Sequence, residues 1–318
     1  MKHPNPYAGP NAALAQFLPD AHLLEPRPWR IAAALLGDWA LITAAFAAAI
    51  WMPHPLVYLL AAIVIARSQL ALAVMMHEAA HGLMAGNKRL NDGLGQLLTA
   101  GPLWLSLRSY RAGHIQHHHA PMADDDPVAL MFAVHDYPVT RAQLMRRLLA
   151  YACGIGYVTS IARLARGELA HALPPVKKSR AYIAWELASI FITNGLLCGL
   201  LAWSGHAWLY LGLWLVPSMT LLPLAGQIRA IFEHGGLPAS ADQSSNARTI
   251  THRSWQTFLF GPHAIHYHVE HHLFPRMPFH SLRAVHRQLA AQQLLPQANL
   301  YTGYGAVLRD VSTQRESA

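Results

Sequence analysis

The sequence predicts an all-α integral membrane protein: four transmembrane helices in two hairpins, with a cytoplasmic helical cap in which histidines gather. Three observations carry that expectation. Hydrophobic residues make up 53% of the 318 residues and charged residues only 13%, where an average soluble domain carries about a quarter charged. Four apolar stretches each reach the roughly 20 residues that a helix needs to cross a bilayer. The chain has 21 histidines, eight of them in three internal clusters rather than a terminal run.

The elements follow in order. Residues 1–30 are rich in Pro and polar side chains and lack the basic start and apolar core of a signal peptide, so they read as a cytosolic N-terminal arm. The first span covers residues 31–51 and the second 56–76, with the tight turn Met52–Pro55 between them. The third covers residues 181–203 and the fourth 207–226, after the short turn Ser204–His206. Arg27 and Arg30 precede the first span, Lys88 and Arg89 follow the second, Lys177, Lys178 and Arg180 precede the third, and Arg229 follows the fourth; the two turns carry no Lys or Arg. The positive-inside tendency therefore puts both termini and the middle segment in the cytoplasm. Arg67 lies near the middle of the second span, where a charge is costly and turns to the bundle interior; a structural pairing and a substrate role both fit it. The apolar stretch from Leu94 to Leu105 is too short to span and contains Gly101-Pro102, which suits an interfacial or re-entrant turn. The stretch from Arg146 to Ala165 reads as an amphipathic surface helix. Residues 31–308 form one membrane domain, and residues 309–318 read as a disordered tail.

The net charge of +8 fits this orientation. No basic stripe interleaved with aromatics is present, so nucleic acid is not an expected partner. Cys153 and Cys198 are the two cysteines, without a CxxC pair, and read as small buried apolar residues.

Chemistry concentrates in three clusters: His77-Glu78-Ala79-Ala80-His81, His114-Ile115-Gln116-His117-His118 and His268-Val269-Glu270-His271-His272. Residues three and four apart share a helix face, so each cluster aims two or three imidazoles at one point. Eight imidazoles exceed what one ion takes, and two neighbouring metals are the natural solution. Imidazole suits Zn, Cu, Fe and Ni alike, so ligand type alone does not choose the metal. All three clusters fall on the same side of the membrane. Taken alone, His77-Glu78-Ala79-Ala80-His81 fits an intramembrane zinc protease with the Glu as general base, but that reading leaves the other two clusters without a role. A metal transporter would want polar groups at the bilayer midplane, where few occur here. His119, His263 and His266 lie beside the clusters and read as neighbours rather than ligands.

As a set, the three clusters resemble the histidine boxes of the membrane fatty acid desaturase family, a three-box di-iron superfamily. The phrase from Tyr267 to Pro275 is similar to the family's third box, and Arg111 stands three residues before His114 as it does there. The resemblance covers Arg67 to Arg287 and implies two Fe ions, O2 as co-substrate and a further histidine ligand after the fourth span, matched by His234 in Glu233-His234-Gly235-Gly236. The implied metal set is His77, His81, His114, His117, His118, His234, His268, His271 and His272. Glu78, Glu233 and Glu270 are candidates for orienting imidazole N–H groups from behind, whereas the run Asp124–Asp126 reads as solvated charge. Two departures from the pattern stand out: Ala264 occupies a position where many bacterial members carry Asn, and Val128 follows Asp126-Pro127 where many carry Asp.

The resemblance implies an O2-dependent fatty acid desaturase acting on an acyl-lipid or acyl-carrier substrate in the bacterial inner membrane, introducing a C=C bond. The alternative on the same scaffold is a hydroxylase or ketolase of lipids or carotenoids. Electrons are expected from an external donor such as a ferredoxin and its reductase.

Overall fold

The structure, a computed structural model, describes residues 14, 16–169 and 173–313. Its helices are, in chain order, α1 (Pro28–Trp51), α2 (Pro55–Ala80), α3 (Lys88–Gly95), α4 (Leu107–His119), α5 (Pro127–Phe132), α6 (Arg141–Ala152), α7 (Ile155–Ala165), α8 (Arg180–Trp203), α9 (Val216–Met219), α10 (Leu221–His234), α11 (Trp255–Phe260), α12 (His268–Leu273), α13 (Leu282–Ala291) and α14 (Tyr304–Asp310). Among the described residues four two-residue strands accompany them: β1 (Val139–Thr140), β2 (Thr249–Ile250), β3 (Leu300–Tyr301) and β4 (Ser312–Thr313). Among the described residues four helices are long and apolar enough to cross a membrane: Ala21–Trp51, Pro55–Ala80, Arg180–Trp203 and Tyr210–His234.

Helix α2 organises the rest. Pro55 opens it at a position where a missing N–H costs nothing, and the His54 side chain accepts from Leu56 N. Its 26 residues amount to about 39 Å, longer than a hydrocarbon core of about 30 Å. Leu56, Leu59 and Leu60 in its first half are exposed, whereas Ser68 to Ala80 are almost all buried by neighbouring chain. The second half is therefore wrapped by protein and carries His77 and His81 on its last turn. Ile42, Phe46, Ile65, Leu72, Met75, Met76, Leu209 and Trp214 form the core around it.

The fourth long helix is broken. A π-helical turn, Tyr210–Leu215, leads into α9, and Thr220 leaves helical geometry before α10 begins. Pro223 accounts for the break, since it lacks an N–H for the carbonyl of Met219 and its ring crowds that carbonyl. Gly154, at φ +77°, brings the corner between α6 and α7 against Met219 and Thr220. That corner bends by 83°, so the surface segment is two helices rather than one. Cys153 lies on this corner and is exposed, which corrects the expectation that both cysteines are buried.

The apolar segment after α3 doubles back through a second π-helical turn, Gln96–Ala100. Its peptide groups are satisfied by side chains: Asn194 Nδ2 donates to Gly101 O, Gln96 Nε2 donates to Leu105 O, and Gln96 Oε1 accepts from Leu107 N. A Cβ on Gly101 would stand 2.9 Å from Gln96 O and 3.2 Å from Ser189 O, so only glycine lets α8 approach here.

The outermost described segments pack against the histidine-bearing part of the fold. Leu14, Phe17 and Leu23 pack with Leu273, Phe274, Met277 and Val285, so this part of the N-terminal arm is core. Residues 309–313 are ordered: α14 ends at Asp310, and β4 pairs in parallel with β1. Val307 and Val311, both buried against Tyr137 and Ile231, supply the apolar area that holds them. The expected disordered tail is corrected for these residues; residues 314–318, like 1–13 of the expected arm, lie outside the described residues.

Candidate metal centre

Four elements deliver the histidines. The last turn of α2 presents His77 and, at its C-cap, His81. Helix α4 presents His114, His117 and His118, α10 ends on His234, and the single-turn α12 presents His268, His271 and His272. Arg111, one turn before His114, ties two of these elements together. Its guanidinium donates to Ala79 O and Ala80 O, the last two carbonyls of α2, and to Asp92. Burial works to raise the Asp92 carboxyl, but Arg111, Asn91 and Lys88 outweigh it and bring Asp92 down to about 2. Gly236, at φ +70°, turns the chain away after His234, and a Cβ there would stand 2.9 Å from Tyr137 O.

The nine histidines converge in two adjoining groups, the two that the described residues offer for a metal ion. His77, His81, His114, His118 and His271 form one; His117, His234, His268 and His272 form the other; within each, one potential ligand atom per residue lies within 4.8 Å of all the rest. Eight of the nine rings meet through Nε2. In the first group His77 stands 2.8 Å from His271, His271 2.9 Å from His118, His118 3.1 Å from His114, and His114 2.9 Å from His81. In the second, His268 stands 2.9 Å from His234 and 3.2 Å from His272.

These spacings do not suit hydrogen bonds among the rings themselves. A ring nitrogen has either one hydrogen or one lone pair, pointing one way, yet Nε2 of His271, His118, His114 and His268 each face two neighbours. They do suit a shared ion: with a metal–imidazole bond of about 2.1 Å, ligand atoms at right angles stand about 3.0 Å apart. Protonation also favours ligation. Burial, and then repulsion from the other rings, holds His114, His118, His268, His271 and His272 well below the ordinary imidazole range. His81 is brought down to about 3 by burial and by Arg111. Neutral rings keep the lone pairs a metal needs.

The far sides of three rings are fixed. His117 Nδ1 donates to Asp126, which also accepts from Met122 N and Val128 N. His234 Nδ1 donates to Asn246 O at 2.7 Å, and His272 Nδ1 faces Gln243 Oε1 at 3.3 Å. An Nδ1–H held from behind turns the Nε2 lone pair inward, the arrangement found behind metal-bound imidazoles. Nδ1 of His77, His118, His268 and His271 has no hydrogen-bond partner among the described residues.

The acids sort differently from the expectation. Asp126 is buried while Asp124 and Asp125 are exposed, so the run is not simply solvated charge. Burial pushes the Asp126 carboxyl up, but the His117 hydrogen bond holds it below its ordinary value. The Glu78 carboxylate accepts from Phe279 N and lies 3.6 Å from His77 Nδ1, behind the ring. A protease's general base would face the Nε2 side, which Glu78 does not. Glu270 accepts from Thr249 Oγ1 and pairs with His286, away from the ligand atoms. Glu233 is clamped by Arg229 and stands 3.6 Å from His268 Nε2, on the inward face of the four-histidine group rather than behind a ring. Of the neighbours, His119 is exposed and His266 Nδ1 donates to Ile250 O. Reading the sequence sets Asp126 aside with the solvated run and misses Asn246 and Gln243; Asp126 alone leaves a signal, the Asp-Pro pair following the second cluster, where it caps α5.

Helices of membrane-spanning length that carry two adjoining groups of imidazoles define a membrane protein with a polyhistidine site able to hold metal. The chain belongs to the fatty acid desaturase family, whose profile matches residues 49–305. It is also similar to the dihydrorhizobitoxine desaturase of Bradyrhizobium elkanii, at 26% identity over 270 residues, which cover 81% of this chain and 75% of that protein.

Proposed function

We propose that this chain is an O2-dependent fatty acid desaturase that introduces a C=C bond into an acyl-lipid or acyl-carrier substrate, with two iron ions held by nine histidines. The observation that carries this reading is the split of nine imidazoles, eight buried and His81 partly buried, into groups of five and four whose ligand atoms lie within 4.8 Å of one another. In this reading His77, His81, His114, His118 and His271 hold one ion, and His117, His234, His268 and His272 the other. Iron held there would turn the oxidising power of O2 against an unactivated C–H bond, which side-chain acids and bases cannot do. The chain's own residues fix the rings: Asp126, Asn246 O and Gln243 from behind, and Arg111 by joining α2 to α4.

Loss of two hydrogens with reduction of O2 to two waters requires two further electrons and two protons, so an external donor such as a ferredoxin and its reductase is the expected partner. In the proposed orientation the four spans form two hairpins entering from the cytoplasm, residues 31–308 make up the membrane domain, and both termini and the histidine-bearing cap face the cytoplasm of a bacterial inner membrane. The relative's name supports desaturation over hydroxylation or ketolation and offers a second reading, a substrate like dihydrorhizobitoxine rather than an acyl lipid.

The test is mass spectrometry of extracts from aerobic, iron-supplied cells expressing the chain, beside a His271→Ala control. A lipid species lighter by two hydrogens and absent in the control is the expected result. A species heavier by one oxygen would assign a hydroxylase. Unchanged lipids, with two hydrogens lost from added dihydrorhizobitoxine, would assign the second reading.

A further inference from the structure

Arg67 sits where α2 passes from its exposed half to its protein-wrapped half, and it is not alone. Its Nη1 donates to Asp38 Oδ1 of α1 at 2.8 Å. The other carboxylate oxygen, Asp38 Oδ2, accepts from His263 Nε2 at 2.7 Å. All three side chains are nearly sealed, at 10% exposure for Arg67, 3% for Asp38 and 11% for His263. Arg67 reaches the same C-terminal segment twice more: Nε donates to Phe258 O at 3.3 Å, and the guanidinium lies 4.6 Å from the centre of the Phe258 ring.

The segment held this way is strained. His263 and Ala264 both adopt left-handed backbone, at φ 54° and 58°, a conformation that side chains with a Cβ disfavour and that persists only where the surroundings impose it. It feeds directly into the third histidine cluster. Tyr267 N donates to Ala264 O, and His271 N donates to Tyr267 O, so the loop and α12 form one continuous hydrogen-bonded path. The His263 ring also packs on Phe279, whose N–H is bound by Glu78 of the first cluster.

We propose that Asp38, Arg67 and His263 form a polar latch that positions the third histidine cluster against α1 and α2. An ion pair this deep costs desolvation and is poor value as a general stabiliser. What it contributes is geometry: one carboxylate, made available by the arginine, fixes the loop whose conformation sets where His268, His271 and His272 point. The three are positioning residues. Since α12 serves both histidine groups, loosening the latch loosens both metal sites. The inference rests on the reading of those histidines as iron ligands.

The experiment uses the full chain, iron-loaded and purified in detergent, and measures iron release to a chelator together with the Mössbauer spectrum, well below the melting temperature. Wild-type protein that takes up no iron would sink the ligand reading itself. If iron is bound, His263→Ala, which leaves the Arg67–Asp38 pair intact, is expected to speed release by about 10- to 100-fold, the worth of one hydrogen bond to a charged group, and to shift the spectrum. His263→Gln, whose amide can donate to Asp38 in place of the ring, is expected to restore slow release. Release and spectrum unchanged in His263→Ala, even with a lower melting temperature, would overturn the latch and leave a brace. Should His263→Ala fail to fold, the isosteric Asp38→Asn takes its place: faster release supports the latch, and unchanged release overturns it.

Discussion

At the scale of single residues the site depends on what stands behind each imidazole. His117 is the clearest case, because Asp126 takes its Nδ1–H while two backbone N–H groups hold the carboxylate in place. Removal of a carboxylate behind a metal-bound histidine lowers metal affinity by about 10–100-fold. Asp126→Asn should therefore weaken metal binding to that degree while the nine ligands remain, and chelator competition on the purified variant measures it. Asp124→Asn, two residues away and exposed, should leave affinity unchanged. Equal losses in both variants would mean that Asp126 acts through bulk charge.

At the scale of elements the histidine pairs were legible because helical spacing alone decides them: His77 with His81, His114 with His118 and His268 with His272 are four apart, and each pair falls within one group. The partition of the remaining rings was not legible. His117 leaves its neighbour His118 for the other group, and His271 leaves His272, since adjacent residues on a helix point about 100° apart. His234 came only from family resemblance, because a lone histidine at a helix end carries no periodicity. Asn246 and Gln243 act from an irregular loop, for which no pattern exists to read. Arg67 was visible as an anomaly, but its partner Asp38 lies 29 positions from it and His263, which shares that carboxylate, 225 positions from Asp38, and only the fold joins them. The broken fourth helix had a local cause, Pro223, that an average over apolar residues conceals.

At the scale of the whole molecule, gathering so many imidazoles into a dry interior makes stability depend on pH. His81 is brought down to about 3, and His114, His118, His268, His271 and His272 are held well below their ordinary value. In an unfolded chain these rings take up protons as the pH falls through about 6.5. The unfolded state then binds more protons than the folded one, so stability falls with falling pH. Metal-free protein should keep its full stability above about pH 7 and lose it progressively below about 6.5, as read by thermal melts in detergent across that range. A flat profile down to pH 5 would mean that the rings are not buried as neutral groups. Metal should oppose the loss, because bound ions compete with protons for the same lone pairs.

The central claim is that the two groups of imidazoles hold two iron ions, and the metal content of the purified chain tests it most directly. Elemental analysis against protein concentration should give two irons per chain, with less iron bound in His271→Ala and in His268→Ala, which remove one ligand from each group. One ion per chain, or zinc in place of iron, would contradict the account.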